Sequence, residues 1–168
     1  MAIKLICAID RQGGIGFKNE LLVKLPNDLK RFKELTTKGK FVLCGAKTFE
    51  SIGHLPNREM IVASRSNTYK QVHNTNDLQG VLRGWWSYGL GETLWVCGGS
   101  EIYKQSLPFA DEIYLTVIHN EFENVDAYFP KLDLNKWEVT ELIHNEKDAK
   151  HPYKYDYITY KRKVSNSN

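Results

Sequence analysis

Leu25-Pro26-Asn27-Asp28-Leu29-Lys30-Arg31-Phe32 places a single carboxylate against an apolar helical face. Pro26 suits the first helical position, where its missing N–H costs nothing. Counting on from it, Asp28 and Phe32 stand four apart, and Leu29 with Phe32 and Phe32 with Leu35 three apart, so they share adjoining faces of the first two turns. Lys30, Arg31, Lys33 and Glu34 then take the wet side. Taken alone, Asp28 is an acid that offsets the dipole at the start of a helix.

Upstream, Ile3 to Ile9 is an almost unbroken apolar run, interrupted by Lys4 and closed by Asp10, which predicts a central strand covered on both faces. From Arg11 to Glu20 three glycines and no helical or strand period predict a long loop leading to the Asp28 helix, either a lid or a plain connector. Downstream, Lys40 to Gly45 predicts a second buried strand that passes through its glycine into a helix over Ala46 to Ile52. Strand, glycine, helix leaves free N–H groups and a positive dipole end facing the loop, which suits a phosphate. His54 to Arg58 is a turn, with Asn57 able to take a positive φ. Glu59 to Ala63 is a third strand, and Ser64-Arg65-Ser66 at its end offers a hydroxyl and a guanidinium to a phosphate dianion.

Gln71 to His73 predicts a short strand, and Asn76 or Asp77 the cap of a helix through Leu78, Val81, Leu82 and Trp85. Leu94 to Cys97 is a fourth strand that turns at Gly98-Gly99 into a helix begun by Ser100-Glu101-Ile102-Tyr103. The two glycines let a ligand approach the backbone, and Ser100 can cap. The GxGxxG pattern of dinucleotide sites is absent. Glu112 to Ile118 is a fifth strand carrying one hydroxyl, Thr116, in an apolar row. Trp137 to Ile143 and Tyr153 to Tyr160 read as a closing antiparallel hairpin. Together these predict an α/β fold with a mostly parallel central sheet, an antiparallel carboxyl-terminal edge and helices on both faces. One domain occupies residues 1–163, and residues 164–168 form a frayed tail.

The 168-residue chain, 42% hydrophobic and 26% charged, suits one ordinary globular core, and a formal net charge of +3 is too mild to indicate a nucleic-acid partner. Lys147, Lys150, Lys154, Lys161, Arg162 and Lys163 read as solvated surface. Cys7, Cys44 and Cys97 each lie in an apolar run without CxxC spacing, so they predict buried free thiols and no metal site. With no signal peptide and no long apolar span, the expectation is a reducing, cytoplasmic setting and no membrane.

Several motifs in order carry a resemblance: Ile15-Gly16-x-x-Asn19, Leu25-Pro26-Asn27-Asp28-Leu29-Lys30-Arg31-Phe32, Gly45-x-x-Thr48-Phe49-Glu50-Ser51-Ile52-Gly53, Leu55-Pro56-Asn57-Arg58, Ser64-Arg65, Gly98-Gly99-Ser100-Glu101-Ile102-Tyr103, Tyr114-Leu115-Thr116 and Tyr157-Ile158-Thr159-Tyr160. Over Ile3 to Lys163 the chain resembles dihydrofolate reductase. The resemblance implies reduction of 7,8-dihydrofolate with NADPH as cofactor, binding of antifolate-type small molecules, and a monomer. It makes Asp28 the carboxylate that pairs with the 2-amino group and ring N–H of the pterin, with Thr116 hydrogen-bonded beside it. Ile6, Cys7, Ala8, Leu29, Phe32 and Ile52 are implied as walls of the substrate cleft, Arg58 as a clamp for the glutamate α-carboxylate, and Lys33 as a weaker partner for that tail. For the cofactor it implies Ala8, Ile15 and Gly16 beside the nicotinamide, and Cys97, Gly98, Gly99, Ser100, Glu101, Ile102 and Tyr103 around the pyrophosphate. Gly45, Ala46, Lys47, Thr48, Ser64 and Arg65 are implied at the adenosine half.

Two positions depart from the family's usual pattern. Ala46 stands where an Arg is common, so the preference for a 2′-phosphate rests on Lys47 and Arg65. Val23 stands where the family usually has a Trp whose indole N–H orders a water at the pterin, which predicts weaker water ordering and altered lid behaviour. Two other functions stay open at the level of sequence. One is a reductase of the same fold acting on a riboflavin-pathway pyrimidine, which Asp28 and Arg58 argue against. The other is a non-catalytic descendant of the fold, which Val23 keeps open.

Overall fold

The computed structural model describes residues 2–89 and 91–164. In chain order its strands are β1 (Ala2–Ile9), β2 (Gly14–Phe17), β3 (Glu20–Leu21), β4 (Lys40–Gly45), β5 (Glu59–Ala63), β6 (His73–Thr75), β7 (Thr93–Val96), β8 (Glu112–Ile118), β9 (Ala127–Tyr128), β10 (Trp137–Asn145) and β11 (Tyr155–Arg162). The α-helices are α1 (Pro26–Gly39), α2 (Ala46–Ile52), α3 (Leu78–Tyr88) and α4 (Ser100–Ser106), followed by a 3-10 turn over Leu107–Phe109.

Eight strands form one sheet in the order β10-β11-β8-β1-β7-β4-β5-β6. From β8 to β6 every neighbouring pair is parallel; β11 pairs antiparallel with β8, and β10 pairs antiparallel with β11 to close the sheet. The apolar run of β1 is continuous because this strand lies mid-sheet with both faces covered. On one face Leu5, Leu43, Val96 and Ile113 pack with Leu82 of α3 and Tyr103 of α4. On the other, Cys44, Met60 and Val62 pack with Phe49 of α2, and α1 lies along β4 and β7.

The segment from Arg11 to Glu20, expected to be a loop, instead contains β2 and β3, which join β9 in a separate three-stranded sheet. Lys18 and Asn19, both at positive φ, make the tight turn between β2 and β3. The pairing Gly14↔Tyr128 and Gly16↔Ala127 comes from more than a hundred positions away and leaves no period in the local sequence. Gly16 is required there, since a Cβ would stand 2.8 Å from the Glu20 carbonyl oxygen. The short strand expected over Gln71 to His73 lies instead at His73–Thr75, where β5 supplies the partner. Asp77 caps α3 as expected, accepting from the Gly80 N–H. The last strand runs on to Arg162, whose guanidinium donates to the carbonyls of Ala110 (2.9 Å) and Leu107 (2.7 Å) and lies 4.4 Å from the Trp137 ring. Of the expected tail, Val164 is exposed and residues 165–168 lie outside the described residues. Among the described residues no helix is long and apolar enough to cross a membrane.

Candidate active site

The carboxyl ends of β1, β7, β4 and β5 line one edge of the sheet side by side, spanning about 14 Å at the usual strand spacing. That edge is where open α/β sheets bind ligands. α1, which lies along β4 and β7, starts with no side-chain cap of its own at Leu25. Its first turn is tied down from far away: the Asn27 N–H donates to Nε2 of buried His151 (3.1 Å), and Asn27 Nδ2 donates to the Tyr155 hydroxyl (3.1 Å). His151 in turn holds Asp148 through Nδ1 (2.8 Å) and stacks on Tyr155. The sequence offered no sign of this brace, because His151 belongs to a polar connection without periodicity.

So positioned, Asp28 accepts a 2.5 Å hydrogen bond from the hydroxyl of Thr116, which is itself only 2% exposed. Thr116 is registered beside Ala8 across the β1–β8 ladder, so the carboxyl end of β1 and the Asp28 group meet. Burial pushes the Asp28 carboxyl above its ordinary range, against the Thr116 hydrogen bond and the Arg31 charge, which both pull it down. Arg31 is not on the wet side as its position in the helix suggested. Its guanidinium lies 4.1 Å from the Tyr157 ring and 5.6 Å from that of Tyr114.

Further along α1, Thr36 is buried and donates to the Phe32 carbonyl (2.7 Å) while accepting from Nη1 of Arg58 (3.0 Å). Nε of Arg58 donates to the Pro56 carbonyl (2.9 Å), which leaves three of its five N–H donors for an anion. Asp28 and the Thr36 anchor lie roughly 12 Å apart along the helix axis. A flat aromatic ligand can therefore reach from a carboxylate at one end to a fixed guanidinium at the other. Leu29 and Ile52 keep 43% and 39% of their surface exposed, as walls of an open cleft do, whereas Ile6 is buried and Phe32 half-buried. Lys33 is exposed on α1. A separate cavity of about 510 Å³, between Phe17, Glu20, Leu21 and Leu22 and the Asn120–Asn124 loop, lies outside this group.

The turns expected to receive a dinucleotide stand in a row. Gly45 and Gly99 begin α2 and α4 with no side-chain cap, so the first-turn N–H groups remain available. The Gly45 N–H donates to the Gly98 carbonyl (2.8 Å), joining the two turns, and the Gly98–Gly99 peptide is cis. Gly98 has φ +114°, and a Cβ there would stand 3.2 Å from the Tyr103 ring. Lys47 and Arg65 are exposed, and Thr48 lies beside Gly99. The Ser64 hydroxyl accepts from the Asn67 N–H (3.0 Å) inside its own turn.

One expectation in this half changes. Ser100 does not cap α4; its hydroxyl accepts from the Tyr128 N–H (3.1 Å), fastening the β2–β3–β9 sheet to the start of the helix. Tyr103 is buried and its hydroxyl donates to the Ile6 carbonyl (2.7 Å), which ties α4 to β1. The β2–β3–β9 sheet also has an anchor the sequence did not reveal: fully buried Asp10 accepts from the N–H groups of Gln12, Gly14 and Phe122. Val23 packs half-buried against the Leu25, Ile118 and Tyr155 cluster. The three cysteines are free, and burial raises their thiols, Cys7 and Cys44 to about 12, so they stay protonated and unreactive at neutral pH.

A family model described as dihydrofolate reductase matches residues 2–162. Dihydrofolate reductase from Bacillus subtilis (strain 168) is 38% identical over 169 residues, covering 97% of this chain and 96% of that protein. The Staphylococcus aureus (strain Mu50 / ATCC 700699) enzyme of the same name is 32% identical over 97% of this chain and 99% of its own. A solved structure of dihydrofolate reductase from Enterococcus faecalis, complexed with NADP(H) and RAB-propyl, matches with a TM-score of 0.86 and 34% identity over 97% of each chain. With a buried acid on α1, a hydroxyl from β8 beside it and three glycine or serine turns along one sheet edge, the chain belongs to the dihydrofolate reductase family.

Proposed function

We propose that the chain catalyses the NADPH-dependent reduction of 7,8-dihydrofolate to 5,6,7,8-tetrahydrofolate. The observation that carries this reading is the Asp28–Thr116 pair, a largely buried carboxylate oriented by a buried hydroxyl at the ligand-binding edge of the sheet. NADPH, when bound, supplies the hydride that goes to C6. The chain fits it: two uncapped helix starts, a glycine pair that admits backbone approach, and the exposed cations Lys47 and Arg65 at the turns after β4 and β5.

Asp28 accepts hydrogen bonds from the 2-amino group and ring N–H of the pterin, and Thr116 holds its second lone-pair direction fixed. The carboxylate charge favours the protonated form of the substrate, and water delivers the proton to N5. Arg58, held by Thr36 and Pro56, takes the glutamate α-carboxylate with its remaining donors. Leu29, Phe32, Ile52, Ile6 and Cys7 exclude water from the ring faces. Since Asp28 lies in a site that resists its ionisation, donors on the pterin return what burial removes.

Loss of reduced-nicotinamide absorbance on mixing protein, NADPH and dihydrofolate tests the proposal. Turnover is expected with dihydrofolate and not with a ribosylamino-pyrimidine. Asp28→Asn should keep NADPH binding while turnover near neutral pH falls by orders of magnitude; near-normal turnover in that variant would overturn the assignment.

A further inference from the structure

Three strands away from the dinucleotide turns, the closing hairpin carries a cluster for which reduction of a folate has no use. His144 on β10 is registered directly opposite Asp156 on β11, and Asp156 is registered opposite Val117 on β8, two residues before His119. His144 Nδ1 stands 2.6 Å from Asp156 Oδ1, and His119 Nε2 stands 2.9 Å from Asp156 Oδ2. The imidazole centroids are 5.6 Å apart. Alternation along the strands puts this group on the sheet face opposite Thr116 and Asp28.

We propose that His119, His144 and Asp156 bind one divalent cation of borderline softness, of the Zn²⁺, Co²⁺ or Ni²⁺ type. One ligand atom from each of the three lies within 4.8 Å of the others. Ligand atoms around such an ion are about 3–4 Å apart, so shifts of about an ångström suffice: the two imidazole–carboxylate contacts, at 2.6 and 2.9 Å, open slightly and the two imidazoles draw together. Two imidazoles and one carboxylate select these metals over Mg²⁺ and Ca²⁺, which take oxygen. A second observation comes from the partner of the other His144 nitrogen: Nε2 is 2.9 Å from Glu146 Oε1, and Lys154 Nζ steadies that carboxylate at 3.6 Å. Both His144 nitrogens therefore face carboxylates in the metal-free protein; the ion takes the place of the proton shared between Nδ1 and Asp156, while Glu146 keeps accepting from Nε2–H and holds the ring in place. His119 and Asp156 are 22% and 18% exposed and His144 43%, so the ion is reached from solvent and keeps water in its remaining positions. Bound there, it pins the closing hairpin to β8, the strand that carries Thr116.

Calorimetric titration of the full chain with Zn²⁺ should give one tight site per molecule, with excess Mg²⁺ failing to compete. Co²⁺ should give a d–d absorption band that Zn²⁺ abolishes. His144→Ala and His119→Ala should each weaken Zn²⁺ at least tenfold, and Glu146→Gln by less than either. His73→Ala, whose imidazole pairs with Glu59 far across the sheet, should leave binding unchanged. In metal-free buffer the His144→Ala protein should oxidise NADPH with dihydrofolate at the wild-type rate, showing that it folds. Zn²⁺ should raise the Tm of the wild type and not that of His144→Ala. No binding at micromolar Zn²⁺, or equal binding by wild type, His119→Ala and His144→Ala, overturns the proposal.

Discussion

Two opposed influences act on the Asp28 carboxyl, desolvation that raises its pKa and the Thr116 hydroxyl and Arg31 charge that lower it, and desolvation wins. Its folded pKa therefore lies above the unfolded value. A raised group contributes stability that is present below the unfolded pKa and lost as pH rises through the folded one. Above the folded pKa the ionised Asp28 thus costs the ligand-free protein stability, and Asp28→Asn should raise its Tm there even as it lowers turnover by orders of magnitude. A gain of about 1 kcal/mol would move Tm by roughly 2–4 °C in a chain of this size, and thermal melts of the two proteins check the sign. The same shift sets the acid limb of folate binding above the ordinary carboxylate range, and the variant should lack that limb. Arg58 acts at the other end of the cleft. Arg58→Leu should raise KM for folates with a glutamate tail by about ten- to a hundredfold, as loss of a charge-assisted bond worth about 1.5–3 kcal/mol implies, and leave a bare pterin nearly unaffected. Steady-state kinetics on the two substrates separate these outcomes.

At the scale of elements, α1 carries Asp28 and holds Arg58 through Thr36, so its placement governs both ends of the cleft. Its first turn depends on His151 rather than on a cap from its own sequence. His151→Leu should lower stability by about 1 kcal/mol, the usual worth of a helix cap, and raise KM for dihydrofolate with little change in NADPH affinity. Thermal melts and a binding titration read the two effects. The segment from Arg11 to Glu20 is held at Asp10 on one side and, through β9, at Ser100 on the other, which makes it part of a small sheet rather than a free loop. Between that sheet and the helix, Val23 contributes apolar contact to the Leu25, Ile118 and Tyr155 cluster and has no side-chain donor. Val23→Trp should therefore raise kcat by restoring an indole N–H at the water; an equal or lower kcat across the pH range would count against that account.

In the whole molecule, β1 lies between β7 and β8, so segments a hundred residues apart in sequence end on one edge. Arg162 shows how the chain is closed: its side chain and backbone bind Ala110, Leu107 and Asp111, fastening the last strand beneath α4. Sequence by itself determined the buried strands, the Asp28 helix, the glycine turns and the α/β class, because each rests on periods and turn chemistry within a few residues. It also singled out Asp28, Thr116 and Arg58, through motifs whose order was specific even where each alone was weak. Only the tertiary structure decided that β2 and β3 pair with β9, that Ser100 binds the Tyr128 N–H rather than capping α4, that Tyr103 reaches the Ile6 carbonyl, and that His151 and Asp10 hold the helix and the small sheet. It alone decided the sense of the Asp28 shift. Those outcomes depend on which distant groups are brought into contact and how far water is excluded between them, and no local pattern encodes either.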